Sequence, residues 1–378
     1  MRLGPLLRAA LILAAFLGTP PVQGMPSAVT AANPPEGKTR LAIVGLDHDH
    51  VWELLRHIAE ESTAELVAIA ESQPALVKEA KSKVPQSVKF YADYVAMLDE
   101  AKPDAVIVTT SNDRHLEILR ECAKRHIHYS VEKPMATNAA DAREMERLAK
   151  QAGVKLMVNY WNAWVPPTHE LFHRVKDRQL GEIQKIIVEY GHQGPKEIGV
   201  SSYFADWLYD PVKNGGGAIM DFGCYGAEWA LWLKGRPTRV FATAEKLKVA
   251  QQNKVDDDST IILDYSDATV IIGASWDWPY SMGQVQVFGP KGSLLATGSE
   301  LFFRSSERRG TKAGLEGDPV PLNAPPPETS NPISYFVDCI RHDKPIEDPL
   351  STNLNVQVME ILDAARESVR TGRAQELH

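Results

Sequence analysis

Cysteine is scarce: Cys122, Cys224 and Cys339 are the only three in 378 residues, and they form no C-x-x-C pair. A disulfide framework and a cysteine-built zinc site are therefore excluded as organising devices. There is no basic block, and 41 Lys and Arg against 49 Asp and Glu leave a formal charge of −8. That balance argues against a nucleic acid partner. No apolar run reaches the roughly 18 residues that a membrane-crossing helix needs, so no membrane anchor is expected. A complete glycine fingerprint for a phosphate-binding loop is missing as well. What is present is a globular composition, 44% apolar and 24% charged. At roughly 150 residues per domain, the length suggests about two domains.

The first residues read as an export signal. Arg2 and Arg8 lead the apolar run Ala9 to Leu17, and Val22-Gln23-Gly24 places small residues at a cleavage site. Residues 1–24 are expected to be a signal peptide and 25–38, rich in Pro, Ala and Asn, a flexible lead-in. The mature chain is then periplasmic or secreted. No cysteine follows the apolar run, so no lipid anchor is implied.

Residues 39–158 alternate short apolar runs with amphipathic stretches. Thr39–Leu46, Ala64–Ala70, Asp104–Thr109, Ile127–Val131 and Lys155–Asn159 read as buried strands. Val51–Ala59, Pro74–Lys83, His115–Arg125 and Ala139–Ala152 read as helices. This is a parallel sheet with helical crossovers, in the layout of a dinucleotide-binding (Rossmann-type) domain. Its fingerprint needs glycine at 45, 47 and 50, but the loop is Gly45-Leu46-Asp47-His48-Asp49-His50. An Asp47 carboxylate would repel a pyrophosphate unless it turns away, whereas His48 or His50 could donate to phosphate if protonated. Glu71 stands at the strand end where a carboxylate grips a ribose 2′-hydroxyl, and Ser72-Gln73-Pro74 supplies no cation for a 2′-phosphate. NAD is therefore favoured over NADP. His48, Asp49 and His50, with Glu71 nearby, carry metal-type donors. One short loop rarely closes a coordination shell, and no metal is assigned.

Residues 159–350 are expected to form an open-faced, mostly antiparallel sheet domain for substrate binding and oligomerisation, and 351–378 a C-terminal helix packing back on the first domain. Strands joined by short turns such as Tyr265-Ser266-Asp267 support this. The helix read from Gly217 to Lys234 is apolar around most of its surface and hence buried. Asp221, Tyr225 and Glu228 would line one of its faces, where a polar stripe needs partners or a wet cleft. Trp161, Trp164, Trp207, Trp276 and Trp278 fall at strand ends or loops, where their rings either stack on sugar faces or fill core.

Three segments carry a resemblance to a known family. Ala105–His115 (AVIVTTSNDRH), Val131–Ala136 (VEKPMA) and Gly215-Gly216-Gly217 with Asp221-Phe222-Gly223-Cys224-Tyr225 resemble the strand-end turn, the EKP turn and the glycine-started helix of the Gfo/Idh/MocA oxidoreductases. The tyrosine at 225 resembles the glucose–fructose oxidoreductase branch. The resemblance implies a Rossmann domain followed by the open sheet domain, and hydride transfer between a substrate carbon and a nicotinamide. It assigns catalysis to Lys133, Asp221 and Tyr225, with Tyr225 as acid/base and the Lys133 charge lowering the phenol's pKa. Cofactor contacts would fall to Gly45, Leu46, Asp47, His48, Glu71, Thr110, Asn112, His115, Glu132 and Lys133. Substrate contacts would fall to Asn159, Trp161, Asn162, Trp207, Tyr225 and Glu228. Arginines that family members carry after Asn159 and beside Trp207 are absent, which argues against an anionic substrate and for a neutral sugar or polyol. A dimer or tetramer is implied. Two alternatives remain: a glycoside hydrolase or lyase using NAD for transient sugar oxidation, and a non-catalytic sugar- or metal-binding protein.

Overall fold

The computed structural model describes residues 37–248, 253–307 and 317–377. The segment expected to be a signal peptide and most of the expected lead-in lie outside the described residues. The chain opens β1 (Thr39–Val44), α1 (Val51–Glu60), β2 (Ala64–Ala70), α2 (Pro74–Lys81), β3 (Lys89–Tyr91), α3 (Tyr94–Ala101), β4 (Ala105–Val108), α4 (His115–Lys124), β5 (His128–Glu132), α5 (Ala139–Ala152) and β6 (Leu156–Asn159). These strands form one parallel sheet in the order β3-β2-β1-β4-β5-β6. Leu41, Ile43, Val106 and Val108 in the central strands are buried almost completely, as expected of a sheet covered on both faces. The strand order reverses between β1 and β4, so a crevice opens at their carboxyl ends. Neither β3 nor α3 is among the elements expected from the sequence. The strand is three residues long, and α3 is started by Asp93, whose carboxylate accepts from the Ala96 N–H at 2.8 Å.

The second half continues with α6 (Pro166–Lys176), β7 (Lys185–Gly191), α7 (Ser202–Leu208), α8 (Ala218–Asp221), α9 (Gly223–Lys234), β8 (Arg239–Glu245), β9 (Asp258–Asp264), β10 (Thr269–Ser275), β11 (Met282–Gly289), β12 (Gly292–Ala296), β13 (Leu301–Ser305) and β14 (Asp318–Pro319). The chain ends with α10 (Pro332–Arg341), α11 (Thr352–Thr371) and β15 (Gln375–Glu376). The sheet runs β14-β13-β12-β11-β7-β10-β9-β8-β15 and is antiparallel except at the β7–β10 pair. One face, with Ile186, Val188, Ile261, Val270 and Ile272, is buried under α9. The fit is close, since a Cβ at Gly226 would meet Ile272 Cγ2 at 2.2 Å. The opposite face holds the half-buried Ile187, Ile262 and Ile271.

Two expectations change. The single helix read from Gly217 to Lys234 is broken at Phe222, with φ −105° and ψ −27°. The Asp221 carbonyl, which would accept the next helical N–H, instead accepts from Lys133 Nζ at 3.1 Å and Cys224 Sγ at 3.2 Å. The C-terminal helix α11 does not pack on the first domain alone. Its Asp363 carboxylate accepts the Ala139 N–H at 2.8 Å in the first domain, and its Ser368 hydroxyl accepts the Ala242 N–H at 2.9 Å in the second. It ties both sheets together behind the crevice.

Candidate active site

The loop after β1 turns at Gly45 with φ +82°. A side chain there is excluded twice, by that dihedral and by Thr110 Cγ2, which lies 2.4 Å from where a Cβ would stand. Glu71 binds this loop directly: Oε2 accepts the Leu46 N–H at 2.8 Å and Oε1 the Gln73 N–H at 2.7 Å. Asp47 folds over Gly45, its Oδ1 3.1 Å from the same Cβ position. Burial, with the Glu71 charge adding, pushes the Asp47 carboxyl up to about 6. A cavity of about 370 Å³ opens here, lined by Gly45, Asp47, Glu71, Ser72 and Gln73 on one side and Arg114, Tyr203, Trp207 and Lys213 on the other.

The segment from Ser201 to Asn214 roofs the loop. Ser201 starts α7 by accepting the Phe204 N–H, while its own N–H donates to Asp49 Oδ2 at 2.7 Å. Trp207 Nε1 donates to the Asp47 carbonyl at 3.3 Å, and the Phe204 ring lies 4.2 Å from that of His48. His48 is 1% exposed, and burial holds its pKa well below the ordinary imidazole value. The expectation that a protonated His48 could donate to phosphate is therefore corrected.

Further in, the chemistry tightens. Lys133 directly follows β5, precedes a cis bond to Pro134 and is 5% exposed. Its Nζ donates to the Asp221 carboxylate and carbonyl, and Trp276 Nε1 holds Asp221 Oδ2 at 2.9 Å. Burial works against both charges, but the pair outweighs it. The Lys133 pKa lies above its usual value and that of Asp221 below. Lys133 Nζ stands 5.0 Å from the centre of the Tyr225 ring. That ring stacks on Tyr190 at 4.8 Å and meets Tyr160 edge-on at 5.4 Å. Burial pushes the Tyr225 phenol well above its ordinary value, with the nearby Cys224, Glu132 and Asp221 adding. The expectation that Lys133 lowers it is corrected: the ammonium lies against the ring, with its charge neutralised by Asp221.

The other named residues form a closed network rather than an open lining. Asn159 donates to Glu132 Oε1 at 2.7 Å and accepts from Trp164 Nε1 at 2.8 Å. Asn162 donates to Glu228 Oε2 at 3.0 Å, and burial raises this carboxyl to about 8. Trp161 Nε1 donates to His50 Nδ1 at 2.6 Å. Asn112 donates to Asn214 Oδ1 at 2.8 Å, Thr110 Oγ1 donates to the Ser111 carbonyl at 3.2 Å, and His115 Nδ1 lies 3.2 Å from the Met135 carbonyl. All three are buried supports of the strand-end turn. Three further residues, to which the sequence assigns no role, stand at the site. Arg114 and Lys213 put positive charge into the outer cavity; Arg114 lies within the strand-end turn motif and Lys213 two residues before the glycine-started one. His192 follows β7 and couples electrostatically to Asp221 and Lys133, but no motif surrounds it.

Residues 39–160 match the family model "Oxidoreductase family, NAD-binding Rossmann fold" and residues 168–295 the "GFO/IDH/MocA C-terminal domain". The rhizopine catabolism protein MocA of Rhizobium meliloti is 26% identical over 67% of this chain and 76% of its own length. A D-xylose 1-dehydrogenase (NADP(+)) of Haloferax volcanii is 27% identical over 76% of this chain and 84% of its own. The crystal structure of an aldose–aldose oxidoreductase from Caulobacter crescentus, complexed with glycerol, superposes with a TM-score of 0.75 at 24% identity, covering 90% of this chain and 100% of that one. With two family domains in register on a parallel Rossmann sheet and a mostly antiparallel one, the chain belongs to the GFO/IDH/MocA family of oxidoreductases with an NAD(P)-binding fold.

Proposed function

We propose that this chain is an exported NAD-dependent oxidoreductase acting on a neutral sugar or polyol. The observation that carries the reading is the buried Lys133–Asp221 pair beside Tyr225 at the carboxyl edge of the parallel sheet. The outer cavity suits a dinucleotide. Two lone pairs of the Glu71 carboxylate go to backbone N–H groups, leaving two of its roughly four for ribose hydroxyls. Asp47 is less hostile to a pyrophosphate than a free aspartate, because its raised pKa admits a proton near neutrality, and Arg114 and Lys213 line the same cavity. When bound, a nicotinamide supplies the hydride acceptor or donor.

The chain's own groups handle the proton. An ammonium has three donors, and Asp221 takes two of those on Lys133. The third is available to a substrate oxygen. Tyr225 is a phenol, not a phenolate, at neutral pH, so it also donates. Two protonated donors favour carbonyl reduction near neutrality, and alcohol oxidation speeds up as pH rises. With Lys133 neutralised and no arginine among Asn159–Trp164, this end carries no surplus positive charge to hold an anion. The charged and apolar runs before residue 25 support export, and the half-buried apolar face of the second sheet supports a homo-oligomer. Mass spectrometry of the nucleotide released on denaturation, with NAD+ and NADP+ titrations and a panel of aldoses and polyols, tests the proposal. NAD+ binding with steady NADH formation supports it; binding of neither dinucleotide would sink it.

A further inference from the structure

We infer that His48, His50 and Glu132 form a binding site for a first-row divalent cation. Each offers one ligand atom, and the three atoms lie within 4.8 Å of one another. Asp49 and Glu71, the donors nearest the loop histidines in the sequence pattern, do not complete this set: Asp49 is engaged by the Ser201 N–H and Glu71 by Leu46 and Gln73. The fold instead brings in Glu132, 82 residues from His50 in sequence, with its Oε2 at 3.0 Å from His50 Nδ1.

Proton arithmetic leaves this contact unsatisfied. Trp161 Nε1 is a donor only, and it points at His50 Nδ1 from 2.6 Å. If Nδ1 carries a proton, it meets another N–H. If it does not, its lone pair faces the Glu132 carboxylate at 3.0 Å. One ring nitrogen cannot serve both neighbours; a cation that took the Nδ1 lone pair would satisfy the Glu132 carboxylate, and the Trp161 indole N–H would then turn aside. The surroundings are built as metal-site surroundings are. Asn159 holds Glu132 Oε1, which orients Oε2, and Phe204 and Trp207 form an apolar wall over His48. The His50 backbone N–H approaches His48 Nδ1 at 3.3 Å, a long contact that a cation taking the Nδ1 lone pair would displace. Two imidazoles and one carboxylate suit zinc or a neighbouring divalent metal, with a fourth position left for water or an anion.

The proposal stands whether or not a dinucleotide binds, so its test uses no nucleotide. Untagged full-length protein is stripped with chelator and titrated calorimetrically with Zn2+. One ion per chain is expected, and His50→Ala and Glu132→Gln should each weaken binding at least about tenfold. His126→Ala, on an exposed residue, should leave binding unchanged. No saturable binding, or binding unaffected by either site variant, would overturn the proposal. Should those variants unfold, X-ray absorption on the zinc-loaded wild type decides. Two imidazoles with an oxygen ligand support the site, and any other imidazole count refutes it. Titrating NAD+ into the stripped protein separates a failure here from a failure of the dehydrogenase reading.

Discussion

The two ends of the crevice solve opposite problems. The outer end, around Glu71, Ser72, Gln73, Arg114 and Lys213, is a polar cavity with the Glu71 carboxylate and the Arg114 and Lys213 cations in its lining. The inner end, around Lys133, Asp221, Tyr225 and Trp276, is nearly dry, and each charge there is matched to a partner. Recognition can be done with exposed groups that reorganise, whereas proton transfer needs donors fixed in a low-dielectric setting. The same residue type therefore behaves differently at the two ends. Asp47 beside the outer cavity is pushed up to about 6 by burial, while Asp221 inside is drawn below its usual value because Lys133 outweighs burial.

The comparison is broken most severely by removing one charge from the inner pair. Lys133→Met should cost about 3–5 kcal/mol of stability, because it strands a buried carboxylate, and reduce turnover by about a thousandfold or more. Adding Asp221→Asn, which keeps an acceptor for Trp276, should recover most of the stability in thermal melts and none of the turnover. Recovery of both would mean that the pair is only structural.

Tyr225→Phe tests the inner end more gently. The ring keeps its stack on Tyr190, so stability should change by no more than about 1 kcal/mol. Turnover should fall about a hundredfold, and unchanged turnover would reduce Tyr225 to packing.

At the outer end, Asp47→Asn should raise dinucleotide affinity about tenfold at pH 8, a gain of about 1.4 kcal/mol. It should also stabilise the fold by about 1–2 kcal/mol there, discounted for partial exposure. The sign follows from the raised folded pKa. The folded state holds the Asp47 proton more tightly, so stability falls as pH rises from about 4 to about 6. Below that window the variant should show no advantage, and urea melts at pH 4 and pH 8 check this. The smallest effect is Lys213→Ala, whose exposed charge should be worth about threefold in affinity, diminishing with added salt.

Much of the first domain was legible because doubly covered parallel strands read as apolar runs, and strand ends mark where ligands gather. Lys133, Asp221 and Tyr225 could be named from their motifs, and the structure brings them together. The environment of each was not legible. That Lys133 would be neutralised by Asp221 and leave the Tyr225 phenol raised depends on side-chain packing between the domains. The helix break at Phe222 has the same origin, since a lysine 88 residues away takes the Asp221 carbonyl. The roof from Ser201 to Asn214 left a weak trace, a seven-residue helix with a serine cap. Glu132 meets the loop histidines only because β5 ends beside β1's loop, a juxtaposition no local pattern encodes.

The central claim is that Lys133, held by Asp221, donates to a substrate oxygen while hydride moves at the adjoining carbon. A single-turnover reduction of the oxidised sugar by NADH deuterated at its transferring carbon tests it most directly, in the direction in which the substrate oxygen gains the proton. Deuterium should appear on the sugar carbon with the wild type and not with Lys133→Met at matched nucleotide occupancy. Transfer undiminished in the variant, or absent from the wild type across the sugar panel, would contradict the account.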